Sequence, residues 1–244
     1  MAGRVIVSEN SRTLLTVNPT NVPAKKFPQY IAAILATLAA LVAGSYMSWT
    51  SPALPMLQAN SSVPHITDEE GSWIGSLFNL GAFIGALPAG LICDKLGRKV
   101  TLCILAAPLI ASWLLIAFSS SVIELYLGRI IGGIAVGAIS VATPTYIAEL
   151  AENSIRGALG TLFQLQITVG ILVGYLAGLV GNQMALSLIC CALPIIFFVT
   201  FIWMPESPVY LLTKNRQLHV SYYSFHRHWL SSGNSDICLH ASGG

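Results

Sequence analysis

The sequence predicts an all-α membrane protein with six transmembrane helices. Of its 244 residues, 55% are hydrophobic and only 9% are charged, whereas soluble domains usually carry about a quarter charged residues. One helical crossing of the hydrocarbon core, which is about 30 Å thick, needs roughly 20 apolar residues, and the period-2 alternation of a membrane β-barrel is absent. Six segments meet this requirement: residues 29–50, 72–93, 100–118, 123–147, 158–180 and 184–204.

The two ends of the chain differ from this apolar region, residues 28–212. Residues 1–27 contain basic residues but lack the apolar core of a cleavable signal peptide, so they are expected to form a cytoplasmic arm. Residues 213–244 are rich in Ser and His and are expected to be a disordered tail. His226 and His228 offer two metal ligands with no third at a useful spacing, so neither a metal nor another cofactor is expected.

The basic residues predict which side of the membrane each end faces. The net charge of +2 offers no basic surface for nucleic acid, so position matters more than number. If the spans alternate, all Lys and Arg residues except Arg129 share one side, which the positive-inside rule assigns to the cytosol. Both termini are therefore expected in the cytosol, with the protein in the plasma membrane. The first outer loop carries the glycosylation sequon at Asn60, which this orientation exposes to the secretory lumen.

Charged residues gather at the predicted cytoplasmic ends of the spans. Asp94 follows a helix C-terminus, where the macrodipole disfavours an anion, so it needs Arg98 or a neighbouring helix N-terminus as partner. An exposed pair contributes only about 0 to 1 kcal/mol, so ordinary loop charge explains any single pair equally well. Together the charges predict an ion-pair latch that holds one gate shut. The members of the predicted latch are Asp94, Arg98, Lys99, Glu149, Arg156 and Glu206.

Arg129 is the one basic residue inside a predicted span. It lies about six residues from the outer end of span four, where a cation in hydrocarbon costs about 3 kcal/mol. Its side chain either snorkels to the outer surface or faces a water-filled cavity. Glu124 lies five positions earlier and hence on another face of the helix, so the sequence gives Arg129 no partner.

Span five carries one stripe that mixes hydrogen-bonding and apolar side chains. Gln164, Ile167, Thr168 and Ile171 fall at i, i+3, i+4 and i+7. A sugar offers both hydroxyl groups and C–H faces, and a neutral amide can donate to it and accept from it without a charge. Hydrogen bonding between helices is the alternative explanation for a lone buried glutamine, and spacing alone favours that explanation.

The chain resembles the sugar porters of the major facilitator superfamily from about Pro28 to Leu212. Five marks occur in the expected order with spans between them: Asp94 to Lys99, Gly128-Arg129, Pro144 to Glu149, Arg156 to Leu165, and Pro205 to Leu211. Two further forms are most similar to insect facilitated trehalose transporters: Trp49-Thr-Ser-Pro and Pro205-Glu-Ser-Pro-Val-Tyr.

The resemblance implies a twelve-helix fold of two six-helix bundles, of which this chain is the N-terminal half. It also implies alternating access around a central sugar site, in which the glutamine matching Gln164 binds the sugar. The residues matching Asp94, Arg98, Glu149, Arg156 and Glu206 form the cytoplasmic latch in this family. Here Val209 replaces the usual arginine of the last mark, which is expected to weaken the latch.

The resemblance implies a transporter rather than an enzyme, and it bears on how transport is driven. Proton-coupled sugar symporters of the family carry an acid in span one that pairs with the arginine matching Arg129. Residues 27–67 hold no Asp or Glu, which favours facilitative uniport of a sugar such as trehalose or glucose over proton-coupled symport. Because half of a sugar site cannot enclose a sugar, a second hypothesis is a truncated isoform without transport activity. Such an isoform would bind or regulate a full-length porter or pair with itself.

Overall fold

The computed structural model describes residues 26–59, 64–151, 154–207 and 210. This part of the chain folds into six α-helices and contains no strand, which confirms the predicted all-α class. Every one of the six is long and apolar enough to cross a membrane. The helices are α1 (Lys26–Gln58), α2 (Asp68–Leu96), α3 (Arg98–Ala117), α4 (Val122–Leu150), α5 (Arg156–Gly178) and α6 (Gln183–Phe201).

Helix α1 is longer than the apolar run predicts. The predicted span ends at residue 50, whereas α1 continues to Gln58 through Pro52 and Pro55. A proline removes one helical hydrogen bond, but neighbouring helices and side chains offset this loss in a membrane bundle. The buried face of the helix also continues as far as Leu57. The ends of the other five helices differ from the predicted ends by no more than four residues.

Side-chain caps begin the helices that start at the outer end of the bundle, which is the end opposite the α2–α3 turn. Before α2, Thr67 accepts a hydrogen bond from the backbone N–H of Glu70, whose carboxylate accepts one from the N–H of Thr67 at 2.8 Å. Ser121 and Glu124 form the same capping box before α4. Glu124 therefore serves as a helix cap, which satisfies N–H groups that the helix itself cannot.

Two pairs of helices pack backbone against backbone. Helix α5 contacts α1 so closely that a Cβ added at Gly170 would overlap the carbonyl oxygen of Leu41. Helix α2 contacts α4 in the same way, because a Cβ at Gly85 would overlap the carbonyl oxygen of Ile134. Helix α1 of the first segment, α1 to α3, packs against α5, and the corresponding helix α4 of the second segment, α4 to α6, packs against α2. The two segments are therefore related as an internal repeat. In lipid the hydrophobic effect does not drive helices together, because lipid tails are as apolar as the side chains. Van der Waals contact between closely packed backbones stabilises the bundle instead.

Helix α1 lies at the centre of the bundle and also contacts α4 and α6. Its buried aromatic side chains form hydrogen bonds to helices α3 and α6. The hydroxyl of Tyr46 donates to the carbonyl oxygen of Leu109 on α3 at 2.8 Å, and Nε1 of Trp49 donates to Oγ of Ser187 on α6 at 3.0 Å. Buried polar groups of these large side chains therefore find partners, which fixes α3 and α6 against α1.

Several of the sequence predictions fall on residues outside the described ranges. These are the sequon at Asn60, the replacement at Val209, His226 with His228, and the tail at 213–244. The predictions for these residues remain predictions.

Candidate functional site

The stripe predicted on span five lies on one face of α5. Gln164 and Thr168 are exposed, and Ile167 and Ile171 are half-buried. The two isoleucines pack beside Gly44 of α1, where an added Cβ would overlap the carbonyl oxygen of Ile167. The backbone of α5 at Ile167 and Ile171 thus lies directly against α1, and the polar members of the stripe remain on the open surface.

Gln164 keeps its amide group free for other partners. Thr168 donates its hydroxyl to the backbone carbonyl of Gln164 at 3.1 Å. Within the described part of the chain, the amide of Gln164 forms no hydrogen bond to another helix. Its N–H donors and carbonyl acceptor are therefore available to a ligand, whereas a glutamine that joins two helices would have them occupied.

Helix α5 exposes a second stripe of different chemistry. This stripe is apolar and consists of Leu165, Val169, Leu172 and Leu176. An apolar stripe suits contact with lipid. Exposed polar side chains at the same depth require water or a polar partner, because hydrocarbon cannot satisfy them. The polar stripe of Gln164 and Thr168 is therefore the face of α5 that can meet a polar solute.

The inner end of the bundle, which carries the α2–α3 turn, holds a charged cluster around Arg98. Its Nη2 lies 2.8 Å from Oδ1 of Asp94 and 2.9 Å from Oε1 of Glu149. Its Nη1 donates to the backbone carbonyl of Cys93 at 3.3 Å, and its guanidinium lies over the ring of Tyr210. The side chain of Arg98 is only 11% exposed and that of Glu149 15%, so solvent screens this pair less than an ordinary surface pair.

Glu206 joins the same region by capping helix α3. The N-cap of α3 is Gly97, which has φ 101° and no side chain to accept a hydrogen bond. Instead, Oε1 of Glu206 accepts from the backbone N–H of Lys99 at 2.8 Å and from that of Ser207 at 3.0 Å. A Cβ at Gly97 would lie 2.6 Å from the Glu206 carboxylate, so a glycine is required there by both space and backbone conformation. The segment after α6 thereby supplies the cap that α3 lacks.

Ser207 connects the two carboxylates of this inner cluster. Its backbone N–H donates to Glu206, and its hydroxyl donates to Oε2 of Glu149. Nearby, the hydroxyl of Tyr146 donates to the backbone carbonyl of Pro205 at 2.9 Å. Ser207 belongs to the Pro-Glu-Ser-Pro mark, but the sequence analysis did not assign it to the latch because its side chain carries no charge. The ends of α2, α3, α4 and α6 are therefore tied together.

Among the described residues, neither Lys99 nor Arg156 forms an ion pair. Both ion pairs found among the described residues belong to Arg98. Lys99 contributes its backbone N–H rather than its ammonium group, and Arg156 is exposed at the first residue of α5. The described contacts link four of the six predicted members, namely Asp94, Arg98, Glu149 and Glu206, and the carboxylate of Glu206 bonds to backbone N–H groups instead of to a cation. The six-member latch remains a prediction.

Arg129 neither snorkels nor faces a cavity, because only 1% of it is exposed. Its Nε donates to the carbonyl oxygen of Ile74 at 3.2 Å, and its Nη1 donates to that of Tyr46 at 3.0 Å. Its Nη2 donates to the hydroxyl of Thr50 at 3.0 Å. Arg129 of α4 is thus bonded to α1 and α2 at once. The sequence analysis missed the two carbonyl partners because backbone carbonyls carry no sequence signal, and it missed Thr50 because it considered only charged partners.

Two aromatic rings complete the surroundings of Arg129. Its guanidinium carbon lies 4.5 Å from the ring centroid of Phe78 and 5.3 Å from that of Trp49. Aromatic faces attract a cation, and the attraction is stronger where water is excluded. No carboxylate forms an ion pair with Arg129 among the described residues, so carbonyls, a hydroxyl and rings stabilise its charge.

A six-helix membrane bundle with one open polar face is typical of one half of a secondary transporter. The family model described as "Sugar (and other) transporter" matches residues 31–235. Since this match covers more than half of the chain, the chain belongs to this family of the major facilitator superfamily, as its resemblance predicted.

Curated relatives and solved structures agree with this assignment. The chain is 34% identical over 216 residues to the facilitated trehalose transporter Tret1 of Polypedilum vanderplanki, covering 88% of this chain and 43% of the relative. It is 35% identical over 188 residues to facilitated glucose transporter member 8 of solute carrier family 2 from Bos taurus, covering 77% of this chain and 39% of the relative. These relatives are transporters, not enzymes.

The fold matches that of a solved sugar transporter. An inward-open structure of the xylose transporter XylE from E. coli superposes with a TM-score of 0.67 at 24% identity, covering 84% of this chain and 57% of XylE. A partially occluded inward-open structure of XylE gives a TM-score of 0.70 at 25% identity, covering 82% and 55%. The chain therefore has the six-helix half fold of the superfamily, and it spans less than half the length of the two curated relatives.

The cap that Glu206 provides predicts a local effect on α3. Glu206→Ala should speed hydrogen exchange of the amides in the first turn of α3 by about fivefold, because loss of a helix cap costs about 1 kcal/mol. Hydrogen–deuterium exchange of the purified chain in lipid nanodiscs measures this rate. Glu69→Ala, which removes an exposed acid at the outer end, should leave it unchanged. Equal rates in the Glu206→Ala variant and the unchanged chain would contradict the capping role.

Proposed function

We propose that this chain forms a sugar-binding half of a transporter that moves a sugar such as trehalose or glucose across the plasma membrane. The observation that carries the proposal is the open polar stripe of α5, where the amide of Gln164 has no partner on another described helix. The relatives named facilitated trehalose transporter and facilitated glucose transporter support sugar as the substrate class.

The chemistry of the stripe suits a neutral sugar. The amide of Gln164 can donate two hydrogen bonds and accept others, and Thr168 keeps acceptor capacity on its hydroxyl oxygen. Ile167 and Ile171 add apolar surface beside these polar groups for the C–H faces of a sugar ring. A site without a charge can bind and release an uncharged solute without a large change in desolvation energy.

The inner charged cluster is proposed to keep this half rigid during transport. All its described contacts run between helices of this one bundle, since Arg98, Glu149 and Glu206 link α2, α3, α4 and the segment after α6. Alternating access in such folds proceeds largely as rigid-body rocking of one bundle against another. A half whose helix ends are tied together can move as one body, and this is the role that we assign to the cluster.

We further propose that transport is passive uniport. Coupling to protons needs a group that gains and loses a proton near the sugar path. Arg129 is held by carbonyls, a hydroxyl and aromatic rings, and residues 27–67 contain no Asp or Glu that could pair with it. These two observations favour uniport over proton-coupled symport.

The charge bias supports an orientation with the inner cluster and both termini in the cytosol. Asn60 would then lie on the outer side and should carry an N-linked glycan. Treatment of the expressed chain with a glycan-removing enzyme should reduce its apparent mass on a gel, and Asn60→Gln should abolish that shift. Cleavage between α1 and α2 by proteinase K, a protease of broad specificity, in sealed vesicles with the cytosolic side out would contradict the orientation.

The role of Gln164 can be tested by sugar protection of a nearby thiol. In a Thr168→Cys variant reconstituted in liposomes, trehalose or glucose should slow labelling by a soluble maleimide, whereas mannitol should not. Adding Gln164→Ala should raise the half-protecting sugar concentration by about tenfold, because roughly two hydrogen bonds of about 0.5 to 1.5 kcal/mol each are lost.

The control for this test is Leu165→Ala, which alters the neighbouring apolar stripe and should leave the protection unchanged. The unsubstituted chain gives the background labelling of its native cysteines. Absence of protection by either sugar at Thr168→Cys would overturn the proposed function of this chain, and protection that is insensitive to Gln164→Ala would remove Gln164 from the site.

A further inference from the structure

Tyr175 extends the polar stripe of α5 toward the outer end of the bundle. It follows Gln164 by eleven residues and Ile171 by four, spacings that keep all three on one face of the helix. At 1.5 Å per residue, Tyr175 lies about 16 Å from Gln164 along the helix axis. It therefore lies beyond the reach of a sugar bound at Gln164, at a position that this site does not use.

Ser51 of α1 lies beside Tyr175 because the two helices approach closely at this level. A Cβ added at Gly174 would overlap the hydroxyl of Ser48, and one added at Gly178 would press on the ring of Pro52. This contact brings the Oγ of Ser51 to 3.4 Å from the hydroxyl of Tyr175. Two hydroxyl groups from different helices thus meet on the open face of the bundle.

The bond between these two hydroxyls is long. Hydroxyl hydrogen bonds usually measure about 2.7 to 2.8 Å, and the buried Tyr46 reaches its carbonyl partner at 2.8 Å. Tyr175 is 49% exposed and Ser51 is also exposed. Both hydroxyls can therefore exchange their weak mutual bond for stronger bonds to an incoming polyhydroxyl compound at little cost.

The ring of Tyr175 provides an apolar surface beside these two hydroxyl groups. An exposed aromatic face offers a flat apolar surface for the C–H side of a pyranose ring, next to hydroxyl groups for its polar edge. A tyrosine near a helix end can also lie in the interfacial belt of a membrane protein. Tyr175, however, lies on the stripe of Gln164 and bonds to Ser51, whereas the lipid-suited stripe carries Leu172 and Leu176.

We propose that Tyr175 and Ser51 form an outer contact for a neutral mono- or disaccharide on its way to the site at Gln164. The proposal rests on the proposed function, since it adds a second position to the same sugar path. The sugar stacks on the ring of Tyr175 and takes hydrogen bonds from both hydroxyls before it moves inward.

A thiol at the outer position reports on this contact separately from the inner one. In a Ser51→Cys variant in liposomes, trehalose or glucose should slow labelling by a membrane-impermeant maleimide. Adding Tyr175→Leu should raise the half-protecting concentration at this thiol about three- to tenfold. Tyr175→Phe keeps the ring and should raise it about two- to threefold, which provides a second variant if Tyr175→Leu fails to fold.

Two comparisons make the result decisive. Leu176→Ala, on the apolar stripe, should leave protection at Ser51→Cys unchanged, and Tyr175→Leu should shift protection at Thr168→Cys by less than about twofold. Protection at Thr168→Cys without protection at Ser51→Cys would overturn the outer contact and leave the proposed function standing. Protection at Ser51→Cys that does not respond to either Tyr175 variant would also overturn it. Absence of protection at both thiols would overturn the proposed function as well.

Discussion

The close approach of α5 to α1 determines what this bundle presents to its surroundings. Around Gly44 and Gly170 the two backbones touch, since a Cβ at either glycine would overlap a carbonyl oxygen of the other helix. Helices gain little from burying apolar surface when lipid is the alternative, so this contact has to come from shape. It also fixes the rotation of α5, and that rotation places Gln164 and Thr168 on the open side.

Charged groups elsewhere in the bundle are satisfied mainly by backbone atoms. Arg129 donates to two carbonyls, and Glu206 accepts from two backbone N–H groups. Among the described residues, both ion pairs are formed by Arg98, with Asp94 and with Glu149, and these pairs hold the inner helix ends together. The exposed polar stripe of α5, with its proposed outer extension at Tyr175, is not occupied by such contacts in the described part of the chain, and we propose that it binds the polar solute.

The sequence predicted the spans, the stripe of α5 and Arg98 as one of two possible partners for Asp94, because hydrophobic length, helical spacing and charge follow directly from residue types. It could not predict that Arg129 would bond to carbonyls, which every residue possesses. Charge and the family resemblance placed Arg156 in the latch, whereas the structure shows it as an exposed residue at the start of α5 with no ion pair to another described residue. The apolar run predicted an end of α1 at residue 50, but α1 continues through Pro52 and Pro55, because the effect of a proline on a membrane helix depends on the neighbouring helices.

Backbone contact at Gly170 sets the position of α5, and a single added methyl group tests this contact most directly. Gly160 lies on the same helix with open space around it, so Gly160→Ala is a matched control. Overpacking costs about 1 to 3 kcal/mol. Gly170→Ala should therefore lower the unfolding temperature of the purified chain by roughly 2 to 12 °C, whereas Gly160→Ala should not lower it. Equal unfolding temperatures for the two variants would contradict the account.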